Sequence, residues 1–364
     1  MKISDLKINC RFFRGDIPCK PHKLHGVHCV EADGSDCPYY EATKGKVLII
    51  KLGAVGDVIR TTPILSALKE KYPEAKVYWL TYTPSVVPKE VDTIVKFNAE
   101  GATFLQALEF DYIVNLDKDK EACALMEILN GQVKKGYVLK DGVPYPADKD
   151  AEAKYMTGVF DDINKANTRN YLEEIFEICG FSYKGEKYVL SNFSQYAGDW
   201  DLEKAKPVIG LNTGCGGRWT SRLWPDENWI ELSKRLIKEG YQVVFLGGEQ
   251  EDAKNRMFAE ATGGRYFGHF QLEKFINLVD QCQLVVTGVT MAMHITLGLR
   301  KKIVLFNNIF NRHEFELFGL GEIIEPEKEC QCFYSAVCTN PEYQCMNYIT
   351  VDRVFNTVTK LLPR

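Results

Sequence analysis

Asp57 is the carboxylate whose setting most invites chemistry. It follows an apolar run, Val47–Leu52, and a turn framed by Gly53 and Gly56, and it falls at the start of a helical pattern. Glycines let the chain turn sharply where a Cβ would be strained. A carboxylate delivered this way can take a proton from a substrate hydroxyl. The same position also suits a helix cap, since an acid there meets the helix dipole well. The segment alone leaves both open.

Three further turns carry groups suited to an anion. In Asn212–Pro225, Thr213, Gly214, Gly216 and Gly217 let backbone N–H groups approach a ligand, and Arg218 and Arg222 offer bidentate donors for a phosphate. A solvated flexible loop is the plainer account. In Gly247–Asp252, Glu251 suits a pair of ribose hydroxyls, or simply the first turn of a helix. In Val285–Ile295, Gly288 ends a strand and Thr290 opens a helix whose free N–H groups can hold phosphate. Met291, Ala292 and Met293 suit packing as well as ligand contact, and His294 is either a donor to the same group or a satisfied core histidine.

Twelve cysteines remain to be placed. In a reducing compartment they are thiols or metal ligands sooner than a disulfide framework. Cys10, Cys19, Cys29 and Cys37 punctuate a stretch without helical periodicity and can supply four thiolates to a structural zinc. An iron–sulfur cluster uses the same ligands and is the alternative, as is a set of free or packed thiols. His22, His25 and His28 can replace one cysteine. A second group, Cys330, Cys332, Cys338 and Cys345, is expected to be a structural loop, and Cys123, Cys179, Cys215 and Cys282 ordinary thiols.

Elements must hold these residues in place. From residue 46 apolar runs at 47–52, 76–81 and 111–116 alternate with helical patterns at 57–71, 120–130 and 168–179, which predicts a parallel sheet covered by helices. Residues 138–166, broken by Gly142, Pro144 and Pro146, are expected to be a mobile loop. A second series follows an expected connection at 196–207. Its strands are 208–211, 242–246, 284–287 and 302–306, its helices 226–239, 249–262, 271–281 and 290–299, and a last helix spans about 351–362. Two Rossmann-like halves with a central cleft follow, behind a cysteine-rich extension at 1–45. With 45% hydrophobic and 26% charged residues and a net charge of −4, the 364-residue chain is expected to be a soluble cytoplasmic protein without nucleic acid as a partner. No apolar run approaches a membrane span.

Taken together, Lys46–Pro63, the turn ending Arg222–Pro225 and Val285–Ile295 resemble glycosyltransferase family 9, the bacterial lipopolysaccharide heptosyltransferases. The resemblance implies an α/β GT-B fold, with an acceptor-binding domain at 46–195, a nucleotide-sugar domain at 196–349 and a terminal helix, 350–364, crossing back to the first domain. It implies an inverting reaction that needs no catalytic cofactor or metal. The donor would be ADP-heptose-like and the acceptor lipid-linked or another glycan, with peripheral contact at the inner membrane. By position, Asp57 matches the general base, Arg222 a lysine on the diphosphate, and Phe270 and Glu251 the groups on base and ribose. Thr213–Arg218, Thr290–Ala292 and His294 complete the donor site, and Lys51 supports the acceptor side or balances Asp57. One departure stands out: Val289 and Met291 occupy positions where the family has Asp and Gly. The alternative is a catalytically inactive relative that binds a nucleotide or glycan. An oxidoreductase fits poorly, because the first turn lacks the dinucleotide fingerprint.

Overall fold

The computed structural model describes residues 2–363. Among the described residues, eleven strands run in chain order as β1 (Lys46–Ile50), β2 (Lys76–Thr81), β3 (Thr93–Lys96), β4 (Glu109–Asn115), β5 (Asn130–Lys140), β6 (Val143–Pro146), β7 (Val208–Asn212), β8 (Gln242–Leu246), β9 (Leu284–Gly288), β10 (Lys302–Phe306) and β11 (Gly321–Ile324). They form two sheets, ordered β3-β2-β1-β4-β5-β6 and β11-β10-β9-β7-β8. All pairs are parallel except the antiparallel β5/β6. The parallel α/β expectation therefore holds in both halves.

The chain packs as two compact units. One comprises the residues up to Leu52 and Ile64–Ala151; the other comprises Gly53–Pro63 and everything from Glu152 onward. This division differs from the expected boundary at 195/196, because the helix Val55–Thr61 and residues 152–195 group with the second unit. The terminal helix Val351–Leu361, expected to cross back, sets Val351, Val354 and Val358 against the second unit's own core beside Trp224 and Trp229.

In the first unit, Leu48 and Ile50 of β1 lie fully buried in one cluster with Leu80, Ile113 and Met126. Runs buried on both faces are what a parallel sheet demands. The helix expected at 57–71 breaks at Thr62-Pro63, giving Val55–Thr61 and Ile64–Lys71, because proline has no N–H to continue the ladder. The supposed loop at 138–166 is ordered. Lys140 pairs with Val143 across Asp141-Gly142, both with positive φ (50° and 79°), which is the two-residue turn that suits a hairpin. Short helices Glu152–Thr157 and Asp161–Ala166 follow.

In the second unit, the helix Met291–Gly298 is buried from Ala292 to its end and packs against Val55–Thr61. In each sheet the strand order reverses once, between β1 and β4 and between β7 and β9. Ligands of open α/β sheets bind beyond the carboxyl ends of strands at such a reversal. No helix among the described residues is long and apolar enough to cross a membrane.

Candidate active site

At the β7/β9 reversal, Asn212 ends its strand buried and uses one amide group three ways. Its Nδ2 donates to the Gly214 carbonyl (3.1 Å), to Thr287 Oγ1 (3.0 Å) and to Thr290 Oγ1 (3.3 Å). The first and third turns are thereby fastened to one another. Thr290 in turn caps the Met291–Gly298 helix by accepting from the Ala292 N–H (3.2 Å).

A cavity of about 600 Å³ opens over these turns. Of the residues expected from sequence, Gly214, Gly216, Arg222, Glu251, Phe270, Thr290, Met291 and Ala292 line it. Thr213 does not; it is buried and donates to Asn255 Oδ1 (2.6 Å), a packing role. Gly217, Arg218 and His294 are also outside the lining, and Arg218 is exposed beside Trp219. Val55, Asn212, Cys215, Gln250, Leu272 and Phe275 line the cavity without having been singled out. For Leu272 and Phe275 the signal was available, since both sit on the apolar face of the Leu272–Gln281 helix.

Glu251 is set by its turn. Its Oε2 accepts from the Gly248 N–H (2.9 Å), and its carboxylate lies so close beneath Gly214 that a Cβ there would overlap it. Glycine at 214 thus lets the Glu251 carboxylate sit directly beneath the turn, and the acid at 251 serves as both turn closure and cavity wall.

Arg222 is the electrostatic feature of the cavity. Its Nη1 donates to the Val289 carbonyl, while its Nε is sealed from solvent without an acceptor. The guanidinium lies 5.5 Å from the Trp219 ring and 5.3 Å from that of Phe310. Burial holds its pKa below the usual arginine value, and only Cys215 offsets this. Among the described residues no carboxylate pairs with this half-buried cation between aromatic rings, an arrangement suited to an anion.

Asp57 belongs to the same unit. Its Oδ2 accepts from the Ala54 N–H (3.3 Å), so the helix-cap role is real. Its Oδ1 also lies 2.8 Å from Arg60 Nε. Arg60 lies 3.5 Å from the centre of the Tyr171 ring. Burial works against its charge, but Asp57, followed by Tyr171 and Glu314, leaves its pKa raised. Behind it, Lys154 bridges Glu174 (2.6 Å) and Glu314 (3.1 Å). None of Arg60, Tyr171, Lys154, Glu174 and Glu314 was apparent from sequence.

His294 packs directly against this helix. A Cβ on Gly56 would come within 2.5 Å of His294 Cδ2, which explains the glycine one residue before Asp57. Burial, then the nearby Arg60, pushes the His294 pKa down to about 3, so the ring is neutral near pH 7. Its Nδ1 is buried without a partner.

Lys51, expected to balance Asp57 or serve an acceptor, pairs with Asp117 in the first unit; both are almost fully buried. Asp117 also accepts from the Leu52 N–H. The pair sits where β1 and β4 end, at that sheet's own reversal.

The N-terminal cysteines line a second cavity, in the first unit. Among the described residues no three His, Cys, Asp or Glu side chains stand as a set that could hold a single metal ion, so the four-thiolate zinc expected from sequence has no preformed ligand set. The cysteine tail is a loop that supports the Asn212–Pro225 turn. Ser221 bonds to the carbonyls of Ser335 (Oγ, 2.6 Å) and Ala336 (N–H, 3.1 Å), and Asn308 bridges the Ser221 carbonyl (2.9 Å) and Cys345 (3.3 Å).

The chain is similar to proteins of known family. The model of glycosyltransferase family 9 (heptosyltransferase) matches residues 103–308, more than half of the chain. Lipopolysaccharide heptosyltransferase 2 of Salmonella typhimurium is 31% identical over 128 residues, 33% of this chain and 35% of that protein. The protein of the same name from Escherichia coli K12 is 32% identical over 129 residues, with the same coverage. The chain thus spans about a third of the length of the curated relatives it matches. Among solved structures, a family 9 glycosyl transferase from Veillonella parvula superposes with a TM-score of 0.68 at 17% identity, covering 88% of this chain and 98% of that one. E. coli ADP-heptose lipopolysaccharide heptosyltransferase II gives 0.64 at 19%, covering 87% and 98%. At these identities the likeness is one of fold.

Proposed function

We propose, for a chain that belongs to glycosyltransferase family 9, the heptosyltransferases, that it moves a sugar from a nucleoside-diphosphate donor to a hydroxyl of a lipopolysaccharide-type acceptor, with inversion and without a catalytic metal. Heptose carried on ADP is the first donor to test, since ADP-heptose names one of the structural neighbours. The observation that carries this reading is Arg222, a half-buried cation without a carboxylate partner, in a glycine-lined cavity at a sheet reversal. A diphosphate supplies the missing charge, and a preorganised guanidinium stabilises the charge that grows as the nucleotide leaves. No cation beyond Arg222 and the helix N-terminus at Thr290 is needed in this scheme.

Asp57 takes the proton of the acceptor hydroxyl as its oxygen attacks the anomeric carbon. Arg60 favours the ionised, proton-accepting carboxylate. Val55, on the same helix, lines the donor cavity, so base and donor share one rigid element. Glu251 receives the ribose and Phe270 the nucleotide base. We place the acceptor on the first unit and the reaction at the cytoplasmic face of the inner membrane, where a nucleotide sugar meets a lipid-linked glycan. The inactive-relative reading is not favoured, because Asp57, Arg222 and His294 are all retained and built in.

The test is nucleotide release. Wild type with ADP-heptose and lipopolysaccharide acceptor extract should release ADP, and Asp57→Asn should lose at least about a hundredfold in kcat while still binding ADP. Wild type that binds the donor but releases no ADP with any acceptor would end the transferase reading. An unchanged rate in Asp57→Asn would remove the base.

A further inference from the structure

The first 45 residues present a folding problem. From residue 2 to residue 45 only Pro21 is buried, and Ile3, Ile8 and Leu24 are largely exposed. A segment without a core cannot repay the conformational entropy of ordering its chain. Short chains of this kind rely on a covalent or metal staple. Yet the backbone here is well defined by hydrogen bonds, and those bonds are arranged around the cysteines.

Each of the four cysteines anchors a turn. The Cys10 carbonyl accepts from the Phe13 N–H (3.0 Å), and Cys10 pairs with Ala42 in an antiparallel bridge. Cys19 caps the helix Lys20–His25, its carbonyl accepting from the Lys23 N–H (3.0 Å). Cys29 and Cys37 close a hairpin in which the Cys37 N–H donates to the Cys29 carbonyl (3.1 Å). The Cys37 carbonyl then accepts from the Tyr40 N–H (2.8 Å). Arg11 fastens the whole to the rest of the first unit by donating to Asp92 (2.7 Å) and to the Ala75 carbonyl (3.3 Å).

All four cysteines line one cavity of about 350 Å³, with Phe12 and Phe13 among its apolar walls. None of the four is in a disulfide. Four free thiols lining one cavity, with aromatic side chains among its walls, match the four-cysteine ligation that iron–sulfur clusters use. The cavity's size bears on its occupant. A single tetrahedral zinc holds its sulfurs about 3.8 Å apart, from Zn–S bonds of about 2.3 Å. No three candidate ligands among the described residues form such a set, and a cavity of about 350 Å³ has room for far more than one ion.

We propose that Cys10, Cys19, Cys29 and Cys37 hold an iron–sulfur cluster in the cavity they line, and that this cluster is the core on which the N-terminal extension folds. The cluster is structural; it takes no part in sugar transfer. It is separate from the transferase reading and stands or falls without it.

The test uses the full chain, expressed with adequate iron and purified without oxygen. Iron, acid-labile sulfide and zinc are measured per chain, in wild type and in Cys29→Ser/Cys37→Ser, with Cys330→Ser/Cys345→Ser as the control for the other cysteine group. Wild type should carry several irons matched by sulfide, with visible charge-transfer absorption. The N-terminal variant should lose both and expose a protease site before residue 46, while the tail variant keeps its iron. Stabilisation by ADP, which reports the second unit, should be the same in wild type and the N-terminal variant. One zinc per chain without sulfide, neither metal in wild type, or iron that persists in the N-terminal variant would overturn the proposal. Wild-type composition decides it even if the double variant does not fold.

Discussion

Replacing Arg222 by methionine should separate binding from stability in a way that few active-site changes do. The side chain keeps its volume in part but loses its charge. In the free protein Arg222 gives one N–H to the Val289 carbonyl and leaves Nε buried without an acceptor. Removing the guanidinium forfeits one hydrogen bond but relieves one unmet donor and one desolvated charge, each worth about 1–3 kcal/mol. The two effects offset, and the free variant should melt within a few degrees of wild type. The diphosphate, by contrast, loses at least two charge-assisted bonds. At about 1.5 kcal/mol each that is about 3 kcal/mol, or about 150-fold in Kd. The assay is thermal melting with ADP at about one hundred times the wild-type Kd. Wild type should gain about 2.7 kcal/mol and the variant about 0.3 kcal/mol. At about 2–4 °C per kcal/mol for a domain of this size, the shifts are about 5–10 °C against about 1 °C. An equal shift in both proteins would refute the anion role. So would a free variant several kcal/mol less stable than wild type, which would make Arg222 a structural residue.

Three other perturbations follow from the same geometry. Gly56→Ala should destabilise by about 1–3 kcal/mol in urea unfolding, although alanine is the better helix former by about 1 kcal/mol, because its Cβ would meet the His294 ring at 2.5 Å. His294 is held neutral down to about pH 3, whereas an unfolded histidine titrates near 6.5. The unfolded chain therefore binds the extra proton between these values, so the contribution is whole above about pH 6.5 and is lost as pH falls toward 3, by up to about 1.4 kcal/mol per unit. Stability curves of His294→Gln should be flatter than wild type across that window. Gly214→Ala, which sets a methyl against the Glu251 carboxylate, should weaken ADP binding at least tenfold by calorimetry while leaving the melting temperature of the free protein within about 3 °C.

Strands and turns were legible because their signals are local: unbroken Val, Ile and Leu runs, and glycines where the backbone must turn. The Asp141-Gly142 hairpin was also written locally, yet the prolines around it suggested disorder instead. What the sequence withheld was pairing over long separations. Arg60 meets Tyr171, Lys154 meets Glu174 and Glu314, and Lys51 meets Asp117, and no periodicity specifies which acid finds which base. The assignment of the Val55–Thr61 helix to the second unit is of the same kind, decided by how closely Gly56 lets His294 approach.

Val289 shows where such reasoning goes astray and what the structure adds. By side chain, a valine where the resemblance expects an aspartate leaves no side-chain acceptor at this position beside Arg222. The fold supplies an acceptor anyway, since the Val289 backbone carbonyl takes a hydrogen bond from Arg222. A carbonyl, however, carries no net charge, so it orients the guanidinium without neutralising it. An aspartate in that place would pair with the cation and compete with the diphosphate for it. Val289→Asp should therefore raise the melting temperature of the free protein by pairing Arg222, and weaken ADP by about tenfold or more. If the variant instead binds ADP more tightly than wild type, the unpaired charge is not what draws the diphosphate, and the cavity must recognise its donor through the backbone donors of its glycine turn.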